Sequence, residues 1–77
     1  EAGEAEMKRY LIVAKKTETG YSAFSPDLPG CVATGRTRAE LETAMREAVL
    51  FHLDGLREDH EEIPQPHSYS TVCEVPV

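Results

Sequence analysis

Tryptophan is absent, and cysteine occurs only twice, as Cys31 and Cys73, far apart and in no CxxC pair. A secreted scaffold built on disulfides carries four or more. The two thiols therefore read as reduced, small core residues of a cytoplasmic chain, with a single Cys31–Cys73 bridge as the alternative. No apolar run approaches the ~18 residues of a membrane span. No basic start followed by an apolar stretch and a small-residue cleavage site marks a signal peptide. GxGxxG is missing, so no phosphate-cradling loop is expected. Bases are scarce too: 8 Lys and Arg stand against 14 acids, for a net charge of −6. With a pI near 4.9, the chain has little to neutralise nucleic-acid phosphates. Direct DNA or RNA binding by this chain alone is not expected.

What is present suffices for one small domain. The 77 residues are 40% hydrophobic, enough for a single core and too many for global disorder. A domain this small buries only about 60% of its unfolded surface. Self-association is one common remedy. Charge is unevenly placed. Residues 1–6 hold three acids and no base and read as a flexible acidic extension before a domain at 7–77. Residues 57–62 hold four acids against Arg57, whereas residues 7–56 carry seven bases and six acids and are near neutral.

The pattern along the domain predicts β-β-β-α-β. Tyr10 to Ala14 is a short apolar run, read as strand one over Lys8 to Ala14. Thr17 to Gly20 is a hairpin turn in which Gly20 supplies a positive φ. Tyr21 to Ser25 is the returning strand. Pro26 and Pro29 then take the chain out of the sheet. Cys31 to Arg36 is a third strand. Thr37 and Glu40 form a capping box for a helix from about Arg38 to Arg57. Its apolar face is Leu41, Met45, Ala48, Val49, His52, Leu53 and Leu56, flanked by Ala44 and Phe51, with Leu50 left exposed. Gly55 weakens the last turn, and Pro64 forbids continuation. Residues 69–75 read as a fourth strand from their β-branched content. The fold class expected is α+β: a four-stranded mixed sheet of order 3-2-1-4 with one long helix on one face.

Catalytic chemistry finds little support. His52, His60, His67 and the cysteines show no metal-ligand spacing, so neither metal nor cofactor is expected. The His67-Ser68 neighbours lack the third group that orients a base. Strand one contains no carboxylate, which argues against two-metal nuclease chemistry. The stronger signal is an interface. Tyr10, Ile12 and Ala14 alternate with Leu11 and Val13, so strand one is apolar on both faces, while a single helix covers only one. Strand three adds an edge guarded only by Arg36. The candidate partner or oligomer surface is Tyr10, Ile12, Tyr21, Val32, Thr34, Arg36 and Leu50, and a homodimer or higher oligomer is expected.

The segment Gly20-Tyr21-Ser22-Ala23-Phe24, the loop Asp27-Leu28-Pro29-Gly30-Cys31, and Gly35, Thr37, Glu40 and the stretch Glu47 to Leu56 together resemble the HicB-like antitoxin family. The resemblance implies a partly degraded ribonuclease H-like fold and a non-enzymatic role in a type II toxin–antitoxin pair. The partner it implies is a small, basic toxin that cleaves mRNA. Many members add a C-terminal DNA-binding domain, for which no segment is read in these residues. A stand-alone oligomeric module that binds RNA or a small ligand is the alternative. The family contributes no catalytic residue. Pro26 and Pro29 stiffen the family loop, Leu28 can pin it to the core, Asp27 can cap its own turn and Gly30 can take a positive φ. The acidic stretch Glu58, Asp59, Glu61 and Glu62 could steer a basic toxin.

Overall fold

The computed structural model describes residues 7–77, so the acidic extension expected at residues 1–6 lies outside the described residues. Three strands, β1 (Val13–Lys16), β2 (Tyr21–Phe24) and β3 (Val32–Gly35), precede a helix, α1 (Arg38–Glu58). The strands form an antiparallel meander of order β1-β2-β3. This corrects the sequence-based expectation of four strands in order 3-2-1-4. Strand one begins at Val13 rather than Lys8, and residues 69–77 stay without regular secondary structure, exposed and outside the sheet. Their β-branched content is a preference for a pleated, half-buried surface. Among the described residues neither edge of the sheet pairs with this segment, so that preference is not realised.

The register explains which side chains reach the core. Ala14, Ala23 and Ala33 lie opposite one another on the face that α1 covers, and Ala23 is buried there. Small residues on that row let the helix approach closely. The helix packs over β3 and β2 but not over β1. Its Leu41, Met45 and Leu53 join Ala23, Leu28 and Cys31 in the buried core, with Tyr10, Tyr21, Val49, Leu56 and Ile63 packed around them. Two expectations fail at this level. Phe51 points to solvent, 82% exposed, and Cys73 is exposed rather than in the core.

Both helix ends carry specific caps. The Thr37 side chain accepts from the Glu40 N–H at 3.1 Å. The Glu40 carboxylate accepts from the Arg36 N–H at 3.1 Å, one residue earlier than the reciprocal box requires. At the far end the chain runs through Gly55 and stops only at Asp59. There the Glu61 N–H donates to the Leu56 carbonyl and the His60 N–H to the Arg57 carbonyl. That pair of bonds is a Schellman motif, with His60 at φ 58° in the position glycine usually takes. Pro64 therefore lies beyond a helix that has already ended. Gly20 also has a role other than the one its turn suggests. Its φ is not positive. A Cβ there would strike the Gly35 carbonyl oxygen, so the position needs the small residue for close approach.

Candidate functional site

The family loop sits between β2 and β3, closed by its own backbone. Ser25 N–H donates to the Cys31 carbonyl, Leu28 N–H to Ser25 and Cys31 N–H to Leu28. Gly30 takes a φ of 82°, as its place in the loop suggested. Leu28 has no solvent exposure and pins the loop to the core. Asp27 does not cap its own turn. Its buried carboxylate accepts from the backbone N–H groups of His67 and Ser68, each at 3.0 Å, and from the Ser68 hydroxyl at 2.8 Å. A residue forty positions away is thereby clamped to the loop. Nothing in the spacing of Asp27 and His67 gives this contact away. The one available hint was a carboxylate set between two prolines in an otherwise apolar loop.

The electrostatics of the clamp are consistent. Burial pushes the Asp27 carboxyl up, but the bonds from Ser68 and His67, with the nearby His67 ring, outweigh it and hold the group below the ordinary carboxyl value. His67 Nδ1 faces Asp27 Oδ1 at 3.2 Å and the Gln65 carbonyl at 3.1 Å. Both are acceptors, so Nδ1 carries the hydrogen. The Ser68 hydroxyl donates to the carboxylate, not to a ring nitrogen, so Asp27, His67 and Ser68 lack the nucleophile–base contact of acyl transfer. Beside them, burial pushes the Cys31 thiol up, which disfavours its nucleophilic thiolate. Among the described residues, no three His, Cys, Asp or Glu side chains converge as a metal site would require.

The sheet face away from the helix is a surface of a different kind. Val13, Phe24 and Val32 are cross-strand neighbours and form one apolar row, 38%, 47% and 64% exposed. Lys15, Ser22 and Thr34 form a polar row beside it. The interface residues read from the sequence divide between surfaces. Val32 and Thr34 lie on this open face. Tyr21 packs on the core side, and Arg36 is exposed just after β3. Tyr10 is half-buried, with its hydroxyl donating to the Pro64 carbonyl. Ile12 and Leu50 line a groove on the helix side. The acidic residues Glu58, Asp59, Glu61 and Glu62 are all exposed around the end of α1. Val13 and Phe24 were missed as surface residues because alternation alone could not say which face of the sheet the helix would take.

Residues 10–76 match the model of the HicB-like antitoxin of the bacterial toxin–antitoxin system. A protein from the rep-hol intergenic region of Haemophilus phage HP1 is 41% identical over 73% of this chain and 42% of its own length. Antitoxin HicB 2 of Photorhabdus laumondii is 34% identical over 75% of this chain and 42% of its own length. This chain thus spans less than half the length of either. A UPF0150 protein of Thermoplasma acidophilum is 31% identical over 78% of this chain and 88% of its own length. In the solved HicA3 and HicB3 toxin–antitoxin complex, one chain superposes with a TM-score of 0.64 and 27% identity, covering 77% of this chain and 72% of that one. Among the described residues no helix is long and apolar enough to cross a membrane.

Proposed function

This chain belongs to the HicB-like antitoxin family of bacterial toxin–antitoxin systems, and we propose that it binds and neutralises a small, basic, mRNA-cleaving toxin in the cytoplasm without catalysing a reaction itself. The observation that carries this reading is its likeness to a chain of a toxin–antitoxin complex. The exposed Val13–Phe24–Val32 row supports it, because an extended apolar patch on so small a domain marks a binding surface. A ribonuclease H-like ancestry stripped of nuclease chemistry fits β1, which has no carboxylate. Self-association belongs to the same reading, through the open face or the β3 edge. The acidic stretch around the end of α1 steers the toxin and acts mainly on association rate.

Co-expression with a basic HicA-like toxin tests the proposal. The chain should co-purify with the toxin and restore growth. Phe24→Glu, on the open face and outside the buried core, should weaken both while leaving the melting temperature near that of the parent. Growth arrest unrelieved by the parent chain would overturn the reading.

A further inference from the structure

We propose that the groove between residues 7–12 and helix α1 holds the extended segment 69–77 of a second copy of this chain. The proposal rests on the self-association included above and places it in this groove rather than on the open sheet face or the β3 edge. Because α1 covers β3 and β2 but not β1, the helix flank bearing Met45, Val49 and Leu53 faces an open trough of about 550 Å³. Tyr10 and Ile12 form the opposite wall. The trough is therefore apolar at its floor, while its lining carries Lys8, Arg46 and Arg57 against Glu42 alone. Arg57 also pairs with Asp54 at 3.2 Å, and Lys8 donates to Gln65, so the basic excess is moderate.

The segment fits that lining. Every residue from 69 to 77 is exposed, with Tyr69, Val72 and Val75 among the most exposed large apolar side chains. In an extended chain alternate residues share a side. Tyr69, Thr71, Cys73, Val75 and Val77 then form one mostly apolar edge. Ser70, Val72, Glu74 and Pro76 lie on the other, where the Glu74 carboxylate can meet the basic rim. A basic toxin suits this rim poorly, whereas an apolar segment carrying a single acid suits it well.

The chain's own segment is placed badly for its own groove. Pro64 and Gln65 already lie along Tyr10 and Lys8, and Asp27 clamps His67 and Ser68 to the β2–β3 loop. Residues 69–77 follow directly on that clamp and contain no glycine for a reversal. Reciprocal exchange between two copies satisfies both grooves and closes as a two-fold dimer.

Light scattering of the full chain at ~100 μM, well above the ~μM dissociation constant of a stable interface, should give twice the 8.5 kDa of one chain. Val75→Asp should return the mass to a single chain that still unfolds in one cooperative transition, because Val75 lies outside the core. Leu50→Cys places a thiol at the groove, where the native Cys73 should link to it under mild oxidation while buried Cys31 stays out of the reaction. In a mixture of isotopically light and heavy chains, the peptide joining positions 50 and 73 should carry both labels, and Leu50→Cys with Cys73→Ser should give none. A monomeric parent, a dimeric Val75→Asp variant or a link within one chain only would overturn the proposal. A dimer without the 50–73 link would overturn it and leave self-association by another surface standing. Toxin neutralisation is scored separately and bears on neither result.

Discussion

Asp27 is 5% exposed yet remains a carboxylate because three donors from His67 and Ser68 replace its water. Its proton affinity is lower folded than unfolded, so the stability it adds is present above the unfolded value, near 4. That stability is lost as pH falls through the folded one. The Ser68 amide should therefore stay protected from hydrogen exchange at neutral pH and lose protection only in acid, below about pH 4. Asp27→Ala should abolish that protection at every pH while the α1 amides stay slow. His60 is a second residue whose role lies in its backbone. A non-glycine side chain at φ 58° closes the Schellman motif, and the left-handed conformation costs an L-residue roughly 1–2 kcal/mol. Glycine relieves that strain and gives some back as unfolded-state entropy, so His60→Gly should raise stability by about 0.5–1 kcal/mol in denaturant unfolding.

At the scale of elements, α1 was the most legible part of the chain. Its start at Arg38 follows from Thr37 and Glu40, and its stripe of Leu41, Met45 and Leu53 follows from the 3.6-residue period. Met45, 1% exposed, fills the space between α1 and the sheet, so Met45→Ala should cost about 2–5 kcal/mol in chemical denaturation. Leu50→Ala, half-exposed, should cost far less in the same experiment. The strands were harder to read. Four-residue strands carry little periodicity, and the apolar run at 10–14 is divided between a packed segment before β1 and the start of the strand itself. The end of α1 was missed for a similar reason: a left-handed histidine has no composition signal, whereas Gly55 and Pro64 do.

The molecule as a whole separates its charge from its apolar surface. The acids at 58, 59, 61 and 62 cluster around the end of α1, while Val13, Phe24 and Val32 lie on the open sheet face. Steering and docking can then be altered independently. Replacing Glu58, Asp59, Glu61 and Glu62 by Gln or Asn should slow association with a basic toxin and flatten its salt dependence, with little change in dissociation rate, as stopped-flow measurements would report. A substitution on the apolar row should do the reverse and speed dissociation.

The sequence by itself determined the helix, its N-cap, the hairpin order, the left-handed Gly30 and the family, because each depends on residues within a few positions of one another or on a motif read as a string. Only the tertiary structure decided that Asp27 binds Ser68 across forty-one positions, that Cys73 lies in solvent, and that residues 69–77 remain outside the sheet. Those outcomes turn on which groups meet in space. Burial gives the Asp27 carboxylate a stringent demand for donors, and the chain that supplies them is tied to the β2–β3 loop rather than paired to a sheet edge. Local preference can propose a strand at 69–75, but a strand forms only where a partner's unpaired N–H and C=O groups are within reach.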